Sequence, residues 1–208
     1  MADPILINVI LDKSGSMAPK QADVIGGFNS FVVEQRKAPG RARMIITQFN
    51  TEVTPPSPAV PIEEVLPLTP ERYTPGGNTA LFDAIAQTVG RADVEKRPEE
   101  RVLCLIITDG EENSSRETTL EQLKKIIAER EARGDWTFAY LGAAPDRWAK
   151  ESGMAGGSVA AFSDVDPMAS FRTAGEATRR LRVSEQRSSR SFFKTDVPSD
   201  AGTTDPAL

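Results

Sequence analysis

The sequence Ile5-Leu6-Ile7-Asn8-Val9-Ile10-Leu11-Asp12-Lys13-Ser14-Gly15-Ser16 decides the fold, because an apolar run leads directly into a short polar loop. A short, nearly continuous apolar run is typical of a strand that is buried on both faces. The loop carries side-chain oxygens at alternate positions, on Asp12, Ser14 and Ser16, and Gly15 lets its backbone turn. Hard metal ions prefer oxygen ligands, so this loop is predicted to supply part of a divalent-cation site.

Two other segments offer the ligands that such a site still needs. A second apolar run, 102–107, ends at Thr108-Asp109-Gly110, and the loop Pro75-Gly76-Gly77-Asn78-Thr79 precedes a predicted helix. In an open α/β sheet, ligands bind beyond the carboxyl ends of the strands, at the point where the strand order reverses. If the two apolar runs are strands 1 and 4 in the order 3-2-1-4-5-6, Asp12 and Asp109 meet at that point.

The three segments together resemble the metal-ion-dependent adhesion site (MIDAS) of the von Willebrand factor A (VWA) domain family. The resemblance covers roughly residues 3–182, and all five ligand positions match in order. It implies a Rossmann-like, doubly wound α/β fold, with a mostly parallel six-stranded sheet of order 3-2-1-4-5-6 flanked by helices. The segments 25–31 and 108–115 further resemble small, single-domain bacterial and phage members of the family.

The resemblance also implies a set of metal ligands. Ser14, Ser16 and Thr79 supply hydroxyl oxygens, while Asp12 and Asp109 bind the ion directly or through water. Because every donor is an oxygen, Mg²⁺ is the favoured ion, with Mn²⁺ as a substitute and Ca²⁺ less favoured.

The ligand types lead to a function. Hydroxyls are poor donors, so a bound ion stays electrophilic toward an incoming carboxylate. We therefore expect a non-enzymatic protein-binding module in which an acidic residue of a partner protein completes the coordination of the ion. Such a module would act as a subunit or adaptor of an intracellular complex.

The alternative is a magnesium-dependent phosphohydrolase in which Asp12 is phosphorylated. Enzymes of the haloacid dehalogenase type place a second Asp two residues after the first. This chain has Ser14 at that position, which disfavours the alternative.

Length, charge and composition exclude several classes of protein. The 208 residues allow one α/β domain with a substantial core but not two. The net charge of −5 argues against nucleic acid as a partner. The chain has no histidine, which excludes Ser-His-Asp and Cys-His catalysis and His-ligated zinc. The start, 1–4, has no basic targeting region and no apolar stretch approaches a membrane span, so we expect a cytoplasmic protein with no membrane partner.

Apolar periodicity predicts the remaining elements. Helices with one apolar face are predicted at 22–37, 80–91, 118–133, within 142–155 around Trp148, and at 167–181 with Asp166 as the N-cap. Further strands are predicted at 44–49, 136–141 and 159–162. A short edge strand is predicted near 52–54, before the proline-rich connection 54–61, because proline is tolerated only at sheet edges. The pattern leaves 62–68 open between an extended segment and one helical turn.

Two reactive side chains are interpreted as structural. Asp83 is predicted to be a favourable charge in the first turn of its helix, in preference to a role in metal binding. Cys104 is the single cysteine and lies within the apolar run 102–107, so we expect an inert core thiol and no disulfide within the chain.

The composition changes after residue 182, which divides the chain into a VWA domain, 1–182, and a C-terminal tail, 183–208. The tail is first basic, then of low complexity, and is predicted to be flexible. Basic residues concentrate around the boundary: Arg172, Arg179, Arg180, Arg182, Arg187, Arg190 and Lys194. They form either a solvated helix face and tail, which is the favoured interpretation, or an arm that makes a second contact with the partner through Phe192 and Phe193.

Overall fold

The computed structural model describes residues 3–194, which form a six-stranded sheet with helices on both faces. The strands are β1 (Ile5–Asp12), β2 (Ala42–Phe49), β3 (Val60–Pro61), β4 (Arg101–Ile107), β5 (Trp136–Gly142) and β6 (Val159–Ala161). The helices are α1 (Gln21–Lys37), α2 (Leu81–Glu95), α3 (Leu120–Glu131), α4 (Pro145–Ser152) and α5 (Pro167–Val183). The strand order is β3-β2-β1-β4-β5-β6, and only the β2–β3 pair is antiparallel, so the predicted fold class is confirmed.

The central strands bring the two predicted strand ends to one edge of the sheet. Every residue of β1, β4 and β5 is buried, as their nearly continuous apolar sequences predict. In the parallel β1–β4 pair, Leu11 lies opposite Ile107. Asp12 therefore follows directly at the carboxyl edge of the sheet, and Asp109 lies two residues beyond the end of β4.

Alternation along β1 divides the core into two layers. Ile7, Val9 and Leu11 pack with residues of α1 and α5 on one face, and Leu6 and Ile10 pack with residues of α2 and α3 on the other. Successive side chains of a strand point to opposite faces, so one apolar strand serves both layers. Cys104 is buried in the second layer, where burial raises the pKa of its thiol, as expected for an inert core residue.

The edge strand is the one element that the sequence places wrongly. It is predicted near 52–54, but β3 lies at Val60–Pro61, and Val53 makes only an isolated bridge to Phe49. The intervening stretch runs beside β2 through separate hydrogen bonds, such as Ser57 N–H to Ile46 O at 3.0 Å. Its prolines have no N–H to donate, so they interrupt a regular ladder until residue 60. Of the two structures left open for 62–68, a short 3₁₀ turn forms at Ile62–Glu64.

The chain continues to pack on the domain after α5. Asp166 caps this helix as predicted, because its Oδ1 accepts the Ala169 N–H at 2.8 Å. Phe192 is buried in the same core layer as α1 and α5, so its ring is not free to anchor a partner. The rest of the predicted tail, 195–208, lies outside the described residues, and the division at residue 182 stays a prediction. Among the described helices, none is long and apolar enough to cross a membrane.

Candidate metal centre

The loop after β1 and the glycine-rich loop before α2 are joined by backbone hydrogen bonds. Gly15 N–H donates to Gly77 O at 2.9 Å, and Gly76 N–H donates to Lys13 O at 2.8 Å. Asn50, directly after β2, binds the glycine-rich loop through its side chain, whose Nδ2 donates to Gly76 O at 2.8 Å. These contacts hold the segment that carries Ser14 and Ser16 beside the segment that carries Thr79.

Asp12 joins the loop after β1 to the loop after β4. Its side chain is fully buried, with Oδ1 accepting the Ser14 N–H at 2.6 Å and Oδ2 accepting the Thr108 hydroxyl at 2.5 Å. The Tyr73 hydroxyl donates to Asp12 O at 2.6 Å and so fixes its backbone. Burial raises the pKa of the Asp12 carboxyl above its ordinary value, although the two hydrogen bonds oppose the shift.

The serine hydroxyls lie at a separation that suits a small divalent ion. Ser14 Oγ and Ser16 Oγ are 3.1 Å apart, and Ser16 Oγ donates to Asp109 Oδ1 at 2.5 Å. Oxygens that bind Mg²⁺ at adjacent octahedral positions, each about 2.1 Å from the ion, lie about 3 Å apart. The two hydroxyls hydrogen-bond to each other at this separation, which is also compatible with two adjacent ligands of one ion.

The space above Gly110 brings the three segments together. A Cβ built on Gly110 would lie 3.2 Å from Thr79 Oγ1, 3.7 Å from Asp12 Oδ2 and 3.8 Å from Ser16 Oγ. Oxygens from three separate segments thus lie within 4 Å of one point beside Gly110, where any side chain would crowd them. Ser14 and Asp109 adjoin this group of oxygens, because the side chain of each lies within hydrogen-bond distance of Ser16 Oγ.

The predicted donor set fits a hard divalent cation, but only because hydroxyl oxygens add to its two carboxylates. Within residues 3–194, no group of three or more His, Cys, Asp and Glu side chains could hold a metal ion. The five predicted positions instead combine two carboxylates with three hydroxyls, all of them oxygen donors. The structure brings all five side chains together, while their role as ligands stays a prediction.

Glu112 supports the site but was not singled out from the sequence. Its Oε2 accepts the Phe82 N–H at 2.9 Å, and its Oε1 accepts the Ser114 and Ser115 N–H groups. A carboxylate at the N-terminus of a helix satisfies unpaired N–H groups and interacts favourably with the helix dipole. The only sequence signal was the position of Glu112, shortly after Thr108-Asp109-Gly110.

Asp83 holds the segment 116–118 in place through hydrogen bonds to its backbone. It lies in the first turn of α2, as predicted, and its two oxygens accept the backbone N–H groups of Arg116, Glu117 and Thr118. Burial alone would raise the pKa of this carboxyl, but the hydrogen bonds lower it below its ordinary value. The structural interpretation of Asp83 is consistent with these contacts.

Lys20 is a charged neighbour of the site that the sequence did not reveal. Its Nζ contacts Asp109 Oδ2 and lies 2.7 Å from Asp164 Oδ1. The side chain of Asp109 is 1% exposed and that of Lys20 is 15% exposed. Burial opposes the charge of Lys20, but its hydrogen bonds to the two carboxylates raise its pKa above the ordinary value. The Lys20 ammonium therefore places a positive charge directly beside the predicted ligand Asp109.

Comparison with known proteins gives a family match and several similar folds. The model of the von Willebrand factor type A domain matches residues 7–147. No curated protein matches the sequence. Proximal thread matrix protein 1 from the mussel byssus is a similar solved structure, with 15% identity and a TM-score of 0.61 over 86% of this chain and 48% of that chain. Another structure of the mussel protein has a zinc-occupied MIDAS motif, with a TM-score of 0.60.

Two bacterial structures are similar to the same extent. A von Willebrand factor type A protein from Catenulispora acidiphila has 20% identity and a TM-score of 0.57, covering 88% of this chain and 42% of that chain. The PilB minor pilin from Streptococcus sanguinis has 11% identity and a TM-score of 0.61, covering 87% of this chain and 61% of that chain. The chain spans about half the length of these proteins, and at such identities the likeness concerns the fold alone.

Proposed function

The chain belongs to the von Willebrand factor type A domain family, and on that premise we propose that it is a non-enzymatic protein-binding module that uses a bound divalent cation to coordinate an acidic residue of a partner protein. The observation that carries the proposal is the convergence beside Gly110, because Asp12, Ser16 and Thr79 bring oxygens from three segments within 4 Å of one point there. Those are the positions that the family resemblance assigns to metal ligands.

Mg²⁺ is the ion that we propose for the site. All five donors are oxygens, which a hard ion such as Mg²⁺ prefers. Mn²⁺ takes the same ligands and serves as a probe. The zinc-occupied motif of the mussel protein indicates that a related site accepts divalent ions other than Mg²⁺. Zinc generally favours nitrogen and sulfur donors, so we do not propose it as the ion of this all-oxygen site.

Exposure of the site toward solvent supports a role in binding a partner. Ser16 is exposed although Asp12, Ser14 and Thr79 are buried, so the donor set is reached from the Ser16 side. A carboxylate from a partner protein could approach an ion there without any change in the buried ligands. The proposed role as an adaptor in an intracellular complex and the cytoplasmic location stay predictions.

The phosphohydrolase alternative is disfavoured by the surroundings of Asp12. A phosphorylated aspartate needs a free carboxylate oxygen that a substrate can reach. Both oxygens of Asp12 accept hydrogen bonds, from Ser14 and Thr108, and the side chain is fully buried. Asp12 is better placed to organise the two loops than to attack a phosphate.

A titration of Mn²⁺ and Mg²⁺ followed by affinity purification tests the proposal. The wild type should bind one ion, and Asp109→Asn should lose at least tenfold in affinity. Asp146→Asn removes the same charge from an exposed position of α4 and should bind as the wild type does. Proteins that copurify with the wild type in Mg²⁺ should be lost both in EDTA and with Asp109→Asn. Copurification that survives chelation, or equal ion affinity for Asp109→Asn and the wild type, would reject the proposed function.

A further inference from the structure

We propose that Lys20 is a built-in competitor of the divalent cation, which weakens ion binding and leaves the bound ion with the positive charge that attracts one partner carboxylate. The inference rests on the proposed function and adds to it a residue that is not among the predicted ligands. In this proposal, Lys20 lowers the affinity of the site for the ion and raises the affinity of the bound ion for the partner carboxylate.

The backbone places Lys20 beside the ligand loop, and contacts of its side chain bring the ammonium to the site. Lys20 ends the 3₁₀ turn Gly15–Lys20, which begins within the ligand loop, and α1 starts at the next residue. Its Nζ also lies 3.5 Å from Ser16 O, so the side chain folds back over the turn toward the site. The low exposure of the side chain and its two carboxylate partners leave the ammonium little freedom to leave Asp109.

The two carboxylates of the site are neutralised to different degrees. Both oxygens of Asp109 are engaged, Oδ1 by the Ser16 hydroxyl and Oδ2 by the Lys20 ammonium. The partners of Asp12 are neutral, the Ser14 N–H and the Thr108 hydroxyl. An ion that attracts the Asp109 carboxylate must therefore share it with a cation, whereas no cation competes for Asp12 among these contacts.

The net charge of the site with its ion bound would be balanced by a single carboxylate from a partner protein. Asp12, Asp109 and Lys20 together carry one net negative charge. A divalent ion bound among them leaves one net positive charge, which one partner carboxylate neutralises. Asp164 is 67% exposed, so water screens its charge and we leave it outside this count.

A purely structural role for Lys20 predicts the opposite result. If the lysine only positions Asp109, then replacing it should loosen that carboxylate and weaken ion binding. If it competes with the ion, then its replacement should strengthen ion binding, because the ammonium and the ion are like charges that would share the Asp109 carboxylate. The sign of the change separates the two roles.

The first experiment is a calorimetric titration of Mn²⁺ into wild type, Lys20→Met, Lys13→Met and Asp164→Asn. Lys13→Met is the matched control, because Lys13 lies in the same loop but its ammonium donates to Thr54 Oγ1 at 3.0 Å and not to a site carboxylate. We expect Lys20→Met to bind Mn²⁺ about tenfold more tightly than the wild type, and Lys13→Met within about threefold of it. Asp164→Asn should bind about twofold to threefold more weakly, since it removes a counter-charge of Lys20.

Equal or weaker Mn²⁺ binding by Lys20→Met, relative to Lys13→Met, would overturn the inference. If neither the wild type nor Lys20→Met binds Mn²⁺, the proposed function itself is wrong, which is a different result from failure of the Lys20 inference alone. Binding by Lys20→Met alone would support the competition, because removing the ammonium would then have restored ion binding. Thermal unfolding of each variant shows whether it is folded during the titration.

The second experiment measures acetate as a stand-in for the partner carboxylate. With each protein saturated by Mn²⁺, the relaxation rate of water protons reports the displacement of metal-bound water by acetate. We expect acetate to bind Lys20→Met at least about fivefold more weakly than the wild type, because that site with its ion carries no net charge. An unchanged acetate affinity would refute the assignment of the residual positive charge to Lys20.

Discussion

Thr79 and Asn113 exchange two hydrogen bonds between the glycine-rich loop and the loop after β4. The Thr79 N–H donates to Asn113 Oδ1 at 2.8 Å, and the Asn113 N–H donates to Thr79 O at 3.1 Å. The two hydrogen bonds fix both the N–H and the C=O of Thr79, which is a proposed ligand. Asn113 thus positions the Thr79 hydroxyl without any predicted contact with the ion.

Replacing Asn113 should weaken ion binding while the five predicted ligands remain present. Asn113→Ala leaves the buried Thr79 N–H without its acceptor, which costs roughly 1–2 kcal/mol. If that order is needed for binding, Mn²⁺ affinity should fall about fivefold to thirtyfold in a calorimetric titration. Asn78→Ala is the control, since Asn78 is exposed and its side chain makes no hydrogen bond within residues 3–194. Equal affinities for the two variants would show that Asn113 does not position the site.

A methyl group at Gly110 should block the proposed ion position. Gly110→Ala places a carbon 3.2 Å from Thr79 Oγ1 and under 4 Å from Asp12 Oδ2, beside the oxygens of the predicted ligands. We expect at least a tenfold loss of Mn²⁺ affinity, with little change in the thermal unfolding midpoint. At Gly76, an added Cβ meets nothing within 4 Å, so Gly76→Ala should bind as the wild type does. If Gly110→Ala binds Mn²⁺ normally, the donors do not surround a common ion at this place.

The strands other than β3 could be predicted because each depends on a local pattern, and the five predicted ligand positions lie near one another, although their role as ligands stays a prediction. An apolar run that ends in a polar loop identifies β1 and β4, and parallel strands bring the ends of such runs to one edge. Most helix limits differ by only a few residues. The largest difference is at α2, which continues to Glu95, past the predicted end at residue 91, because Ala92 still packs in the core.

The contacts made by single charged side chains could not be predicted, because they join residues far apart in the sequence. Lys20 and Asp109 are 89 residues apart, and nothing in the sequence near Lys20 distinguishes it from an exposed lysine. Arg182 was grouped with a solvated basic face, but that prediction is wrong for this residue, whose guanidinium is buried. Arg172 and Arg179, from the same group, are exposed as predicted. Basic residues on one helix thus have opposite environments, which composition alone cannot separate.

The stability of the protein should depend on pH through Asp83. Its pKa is lowered in the folded state by three backbone N–H donors, so the ionised carboxylate stabilises the fold above the unfolded-state pKa. That contribution is lost as the pH falls through the lowered pKa. Asp83→Asn should cost about 1–2 kcal/mol of unfolding free energy at pH 7, and the difference from the wild type should shrink below about pH 4. Urea denaturation at several pH values measures it, and a difference that stays constant down to pH 2 would contradict the assignment.

Two buried arginines connect the carboxyl ends of α1 and α5. They lie near the amino end of β4, at the edge of the sheet opposite the candidate metal centre. Arg182, at the end of α5, donates to Gln35 O, to Ala38 O at 3.1 Å and to Gly40 O at 2.7 Å. Arg101, at the start of β4, in turn donates to Arg182 O at 2.8 Å. Cations at the carboxyl ends of helices satisfy unpaired carbonyls and interact favourably with the helix dipole.

Arg182→Met should therefore destabilise the fold strongly without affecting the ion. The substitution retains much of the apolar stem but leaves three carbonyls near the end of α1 without their donor, at a cost of about 2–4 kcal/mol. Arg179→Met removes the same charge from the exposed face of α5 and should change the unfolding free energy by about 0.5 kcal/mol or less. Urea denaturation compares the two, and Mn²⁺ titration of the folded variants should give wild-type affinity for both. Equal stabilities would show that the carbonyls find other donors, and that Arg182 is not needed to hold α5 on α1.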